Sequence, residues 1–122
     1  MKPNQLQLAN RQQSQRLKDL GFDIECREMY NPIGMLLPKN LIPKNGLKGS
    51  ISAPAVALAL IWCRNNHNLH GFVHPVSNTY TYEIKTNRGE YVNSTNRTYN
   101  KCYDKTEIAL LDEILTILEQ KL

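Results

Sequence analysis

Apolar positions recur at helical spacing near the start of the chain. They predict a helix over residues 4–20, with Asn4 as its N-cap and Gly21 as its stop. The apolar stripe of this helix is Leu6, Ala9, Gln13, Leu17 and Leu20. A stripe this narrow is typical of a helix that docks on a sheet edge or pairs with a copy of itself.

Two further helices are predicted from their apolar residues and their capping residues. Ser50 or Ser52 can cap the second, which runs to about Asn66 and is apolar on nearly every side, so we expect it to pack on more than one side. The third begins with a capping-box-like pair, Asp104 and Glu107, and continues to the C-terminus. Its apolar stripe is Ile108, Leu111, Ile114, Leu115 and Leu118.

Alternating apolar and polar residues predict the strands. One lies over residues 22–26, and a β-meander covers roughly 71–76, 80–86 and 90–93, with a further piece at 98–103. The order α-β-α-β-β-β-α predicts a single α+β domain over residues 1–122, in which an antiparallel meander of three or four strands packs against three helices.

The segment 31–53 shows neither the helical nor the strand period in its apolar residues. It is rich in proline and glycine and contains Pro-Lys-Asn twice, at 38–40 and 43–45. A long structureless loop inside a small domain is either a solvated excursion or a functional arm. Both interpretations stay open from the sequence.

Composition narrows the class of protein. The 122 residues are 41% hydrophobic and 21% charged, as in globular domains. The start of the chain lacks the apolar region of a signal peptide, and the apolar run 53–63 is too short to span a membrane. Three cysteines without a CxxC pair indicate free thiols in a reducing cytoplasm, with no disulfide framework.

Charge is distributed unevenly along the chain. No Asp or Glu occurs between Glu28 and Glu83, and residues 39–105 carry nine basic but three acidic side chains. An excess of this kind favours an anionic partner. Across the same meander, tyrosines alternate with Lys and Arg, which suits a planar ring stacked beside a phosphate. Alternatively, the tyrosines form the buried face of the sheet. We therefore predict six ligand-binding residues: Arg64, His70, His74, Tyr82, Arg88 and Arg97.

A second cluster combines Cys63, His67, His70 and His74. Zinc takes such ligands, but His70 and His74 lie past the end of the predicted helix and the spacing matches no standard zinc finger. We expect no metal and no cofactor. No nucleotide-binding loop or hydrolase motif occurs, so we expect no enzyme. A small nucleotide hydrolase or lyase using His70 and His74 stays as a minor alternative.

Several segments resemble a known group of proteins. They are Ser52-Ala53-Pro54, Trp62 with Arg64 and His67, Tyr103, and the run Thr106–Leu115. With residues 17–22, they resemble short uncharacterised proteins from phage and prophage regions of gut anaerobic bacteria. The resemblance implies a phage accessory protein in a bacterial cytoplasm, and it implies no activity.

These observations predict a non-enzymatic, self-associating binding protein that sequesters an anionic, nucleotide-like ligand, with nucleic acid as another possible partner. The alternative is an inhibitor that binds a host defence protein directly through loop 31–53 and the N-terminal helix.

Overall fold

The computed structural model describes residues 6–24, 26–38, 51–92 and 99–121. Within these ranges, three helices and two antiparallel sheets form an α+β domain, which confirms the predicted class. The elements are α1 (Arg11–Asp19), β1 (Glu28–Tyr30), β2 (Leu36–Pro38), β3 (Ile51–Ser52), α2 (Val56–His67), β4 (Leu69–Val76), β5 (Thr79–Thr86) and α3 (Tyr103–Gln120).

The core lies between the β4–β5 hairpin and the helices α2 and α3. Tyr82 and Ile84 from β5 are buried there with Leu110 and Ile114 of α3. Gly71 lets the helix approach closely, because a Cβ at this position would stand 2.6 Å from the Ile114 Cδ1 atom. One face of the hairpin is therefore packed on α3, and the opposite face is directed away from it.

The first helix is shorter than predicted. It begins after Asn10, whose side chain accepts a hydrogen bond from the Gln13 backbone, and Gln13 completes a capping box. The predicted N-cap, Asn4, lies outside the described residues. Residues 7–9 are extended because they pair with 54–56, as in the bridge between Leu8 and Ala55. Because residues 7–9 pair with 54–56, the first turns of the predicted helix do not form.

The segment after α1 also differs from the prediction. Residues 22–24 form no strand, and the first strand begins at Glu28. Two parts of the predicted loop 31–53 are strands, since β2 and β3 flank β1 in an antiparallel sheet. These strands have only two or three residues, which is too short to show an alternation, and they lie in a segment rich in proline and glycine. The second Pro-Lys-Asn lies outside the described residues.

The other helix starts lack the predicted side-chain caps. Helix α2 begins at Val56, whose N–H donates to the Gln7 carbonyl, and α3 begins at Tyr103. Asn68 ends α2 in a left-handed conformation with φ of 63°. The predicted last strands are reduced, among the described residues, to two bridges beside β5, at Tyr91 and Asn100.

Candidate ligand-binding face

The face of the β4–β5 hairpin that is directed away from α3 carries the candidate chemistry. Strand alternation places His70, Phe72 and His74 on this face, together with Glu83 and Lys85 of β5. The register sets His70 directly opposite Lys85, so their side chains are neighbours.

Lys85 is the centre of a group of rings. Its Nζ atom lies 4.4 Å from the centroid of the Tyr91 ring and 5.8 Å from that of Phe72, which is cation–π range. Tyr91 is 64% exposed and Phe72 38%. Within the described part of the chain, Lys85 forms no ion pair. We name His70, Phe72, Lys85 and Tyr91 the Lys85 face.

Two of the predicted arginines belong to the same end of the domain. The Asn68 side chain at the end of α2 accepts a hydrogen bond of 3.1 Å from the backbone N–H of Asn87, which ties the end of α2 to the turn after β5. Arg64 lies in the last turn of α2 and Arg88 in the tied turn, and both are exposed. The one acidic residue of that turn is Glu90, also exposed.

His74 belongs to a different part of this face. It lies four residues after His70, which is about 13 Å along a strand. Its Nε2 atom is 3.6 Å from Glu83 Oε1, and its cross-strand neighbour Thr81 has no exposed surface. The hairpin therefore separates the two predicted histidines, one beside Lys85 and the other beside a carboxylate.

Tyr82 is a correction to the predicted site. The same alternation that exposes Lys85 turns Tyr82 into the core, where it is 1% exposed. No ring face is left there for a ligand, so the buried-sheet interpretation holds for this tyrosine. Arg97 lies outside the described residues, and whether it points toward Arg88 stays a prediction.

Three residues of the Lys85 face are absent from the six predicted ones: Lys85 itself and the two rings, Phe72 and Tyr91. The alternation of tyrosines with Lys and Arg includes Tyr91 and Lys85 without distinguishing them from the others, and it does not include Phe72. The available signal was the alternation of His70, Phe72 and His74, which places all three on one face once the strand is assigned.

The cysteine–histidine cluster is spread over the structure. Cys63 is fully buried, and burial raises the pKa of its thiol to about 12. The ring of His67 packs edge-on against Trp62, with 4.8 Å between centroids. Among the described residues, no three His, Cys, Asp or Glu side chains are placed to hold a metal ion.

A second polar region joins α1 to α3. Gln13 is fully buried and donates to the Ile108 carbonyl at 3.0 Å and to Asp112 Oδ1 at 2.8 Å. Arg16 donates to both carboxylate oxygens of Glu119, and this bond is the main reason why the pKa of Arg16 is raised and that of Glu119 lowered. We name Gln13, Arg16, Asp112 and Glu119 the α1–α3 seam. Of the stripe expected to pair with a second copy, Ala9, Gln13 and Leu17 are thus buried within the chain, whereas Leu6 is 70% exposed.

Comparison of the chain with protein-family models, with curated proteins and with solved structures found no match. None of the described helices is both long and apolar enough to cross a membrane.

Proposed function

We propose that this protein is a non-enzymatic binding protein that engages an anionic ligand of nucleotide type at the Lys85 face. The observation that carries the proposal is the position of Lys85. Its ammonium lies over two exposed rings and opposite His70, without an ion pair among the described residues. An unpaired cation beside aromatic rings offers a phosphate one contact and a planar base another.

Arg64 and Arg88 extend the positive charge around this face. Both are exposed at the same end of the domain, where they would attract an anion before it contacts Lys85. His74, whose Nε2 atom faces the Glu83 carboxylate at 3.6 Å, is less suited to an anion, and the ring of Tyr82 is buried in the core. The proposed ligand contacts are therefore His70, Lys85, Phe72 and Tyr91, with the two arginines around them.

The setting of this function follows from the resemblance to phage and prophage proteins. We propose that the chain acts in a bacterial cytoplasm and withdraws a signalling nucleotide by binding it without turnover. A sequestering role requires only affinity, which suits an exposed face with no arranged nucleophile.

The test is a thermal-shift screen of the full chain against mononucleotides, cyclic nucleotides and ADP-ribose. A ligand at 100 times its Kd stabilises by about 2.7 kcal/mol, which raises the Tm by roughly 10 °C in a domain of this size. Lys85→Gln should weaken binding about tenfold, the value of one charge-assisted hydrogen bond. Lys105→Gln, which removes an exposed lysine from α3, is the matched control and should bind as the parent does.

Two results would contradict the proposal. One is a screen in which no nucleotide changes the Tm, and the other is a ligand that binds Lys85→Gln as tightly as the parent. Recovery of a chemically altered nucleotide would favour the hydrolase or lyase alternative, which His70→Ala and His74→Ala would then examine.

A further inference from the structure

The solvent side of α1 carries an ordered set of polar residues. Gln13, Ser14 and Leu17 bury the opposite side of this helix. Arg11, Gln15 and Asp19 are exposed and follow one another at intervals of four residues, so they lie along one side of the helix. The Gln15 amide donates to Asp19 Oδ1 at 2.9 Å. A cation thus stands at one end, an anion at the other, and an amide in the middle.

This order is complementary to itself. A two-fold axis through Gln15, perpendicular to the helix, makes two copies of α1 antiparallel. It places Arg11 of each copy opposite Asp19 of the second copy, and Gln15 opposite Gln15. Both charged pairs form at once, and no like charges from these three positions face each other.

Apolar side chains extend the surface beyond the N-terminal end of α1. The tip of the β1–β2 hairpin exposes 81% of Ile33 and 54% of Met35. The hairpin is tied to this end of the helix, because Tyr30 Oη donates to the Ala9 carbonyl at 2.9 Å and Arg11 Nη2 to the Pro32 carbonyl at 3.4 Å.

The tip is held by its own hydrogen bonds. Asn31 Oδ1 accepts from the backbone N–H groups of Ile33 at 3.1 Å and Met35 at 2.8 Å. Gly34 has a φ of +88°, and a Cβ there would stand 3.0 Å from Arg11 Cδ, so the side chain of Arg11 packs against this turn. A surface ordered in advance loses little conformational entropy when it is covered.

The C-terminal end of α1 offers the matching apolar side chains. Leu20 is half-buried and Ile24 is 36% exposed. In the antiparallel arrangement, the hairpin tip of one copy reaches residues 20–24 of the second. This addition matters for size, because a nine-residue helix is only about 13 Å long and is too short for a stable interface of roughly 800 Å² per partner. An open cavity of about 400 Å³ along Arg11, Gln12, Gln15 and Arg16 leaves space for side chains of the second copy.

We propose that this surface of α1 and the β1–β2 tip joins two copies of the chain in a two-fold symmetric, antiparallel dimer. The proposal is independent of the ligand face. It places self-association on the side of α1 opposite to the apolar stripe from which the sequence predicted it.

The test is the mass of the full chain by sedimentation equilibrium at protein concentrations up to about 1 mM, which detects even a weak dimer. The parent should form dimers. Arg11→Asp or Asp19→Arg alone places like charges together twice and should raise the dimer Kd roughly tenfold or more. An equal mixture of these two variants should form heterodimers with an affinity near that of the parent, because one charged pair is then restored in reverse and the other is the native pair of Arg11 with Asp19.

Two further variants complete the design. Lys101→Asp makes a similar charge reversal at an exposed residue outside this surface and should leave the Kd unchanged. Ile33→Asp with Met35→Asp should raise it, since both apolar tips lose their contact. The mixture also guards against misfolding, because misfolded single variants could not reassociate.

Three outcomes would overturn the proposal. They are a parent that is monomeric at every concentration, a dimer that both reversals leave intact, and single variants that do not associate when mixed. A parent that stays monomeric would instead favour contact of the hairpin tip with a different protein, as in the inhibitor alternative.

Discussion

Two polar regions of this domain use similar side chains in opposite ways. In the α1–α3 seam, the Arg16 guanidinium donates to two carboxylates and a hydroxyl of one helix, and Gln13 is fully buried beside it. At the Lys85 face, the cation rests on exposed rings and pairs with no described carboxylate. A satisfied network holds elements together, whereas an unsatisfied cation at the surface is available to a partner. The difference separates residues that stabilise the fold from residues that could bind a ligand.

The largest effect on stability should come from Gln13→Ala. The change removes three part-buried hydrogen bonds, two to α3 and the capping bond from the Asn10 N–H, and opens a small cavity. We expect a loss of about 2–3 kcal/mol in the free energy of unfolding. Chemical denaturation followed by circular dichroism measures it. Gln12→Ala, at the exposed neighbouring position, is the control and should stay within about 0.5 kcal/mol of the parent. Equal losses in both variants would show that the seam does not stabilise the domain.

Arg16→Met should have the next largest effect. The substitution keeps most of the apolar stem and removes the bonds to Glu119, Asp112 and Thr116. We expect a loss of about 1 kcal/mol, because the group is partly exposed and its pairs are screened. Lys18→Met, which removes an exposed lysine from the same helix, should change little. A double-mutant cycle with Glu119→Gln isolates the pair, and a coupling energy near zero would contradict its role.

How far the sequence predicts these regions depends on whether the deciding interaction is local. Helix α3 and the hairpin strands follow from spacing and alternation, and both were predicted close to their observed bounds. The start of α1 depends on residues 7–9 pairing with 54–56, and sheet β2-β1-β3 depends on contacts between distant short segments. A pattern of 3.6 or 2 residues carries no signal of either contact.

The candidate site divides in the same way. His70 and Lys85 share a face because of strand alternation, which the sequence contains. The same alternation buries Tyr82, but the sequence alone left open which face of the hairpin packs on α3. The α1–α3 seam could not be predicted from the sequence for another reason. Gln13 stands in the predicted stripe and Arg16 appears as an ordinary surface residue, but the partners of both are about 100 positions away and no local pattern indicates them.

Acid should weaken the α1–α3 seam. The hydrogen bond from Arg16 lowers the pKa of Glu119 below its usual 4.5. A carboxyl with a lowered pKa in the folded state stabilises at pH above its unfolded pKa, and this contribution is lost as the pH falls through the folded value. Glu119→Gln should therefore cost stability at pH 7 and have little further effect near pH 3. Urea unfolding of parent and variant at the two pH values measures the difference, and a constant difference would contradict the pairing.

Lys85→Gln should have the smallest effect on stability, about 0.5 kcal/mol, at the lower end of what a cation–π contact at an exposed site contributes to folding. This small effect is what distinguishes the Lys85 face from the seam, since Arg16→Met should lose more. The same variant should weaken nucleotide binding about tenfold, so one substitution separates a binding role from a structural one. Denaturation and ligand titration on one preparation measure both quantities. If Lys85→Gln destabilised the domain as much as Arg16→Met does, the contacts of Lys85 with the rings would stabilise the fold. Lys85 would then already be satisfied by the rings, and the proposed contact with a ligand would be contradicted.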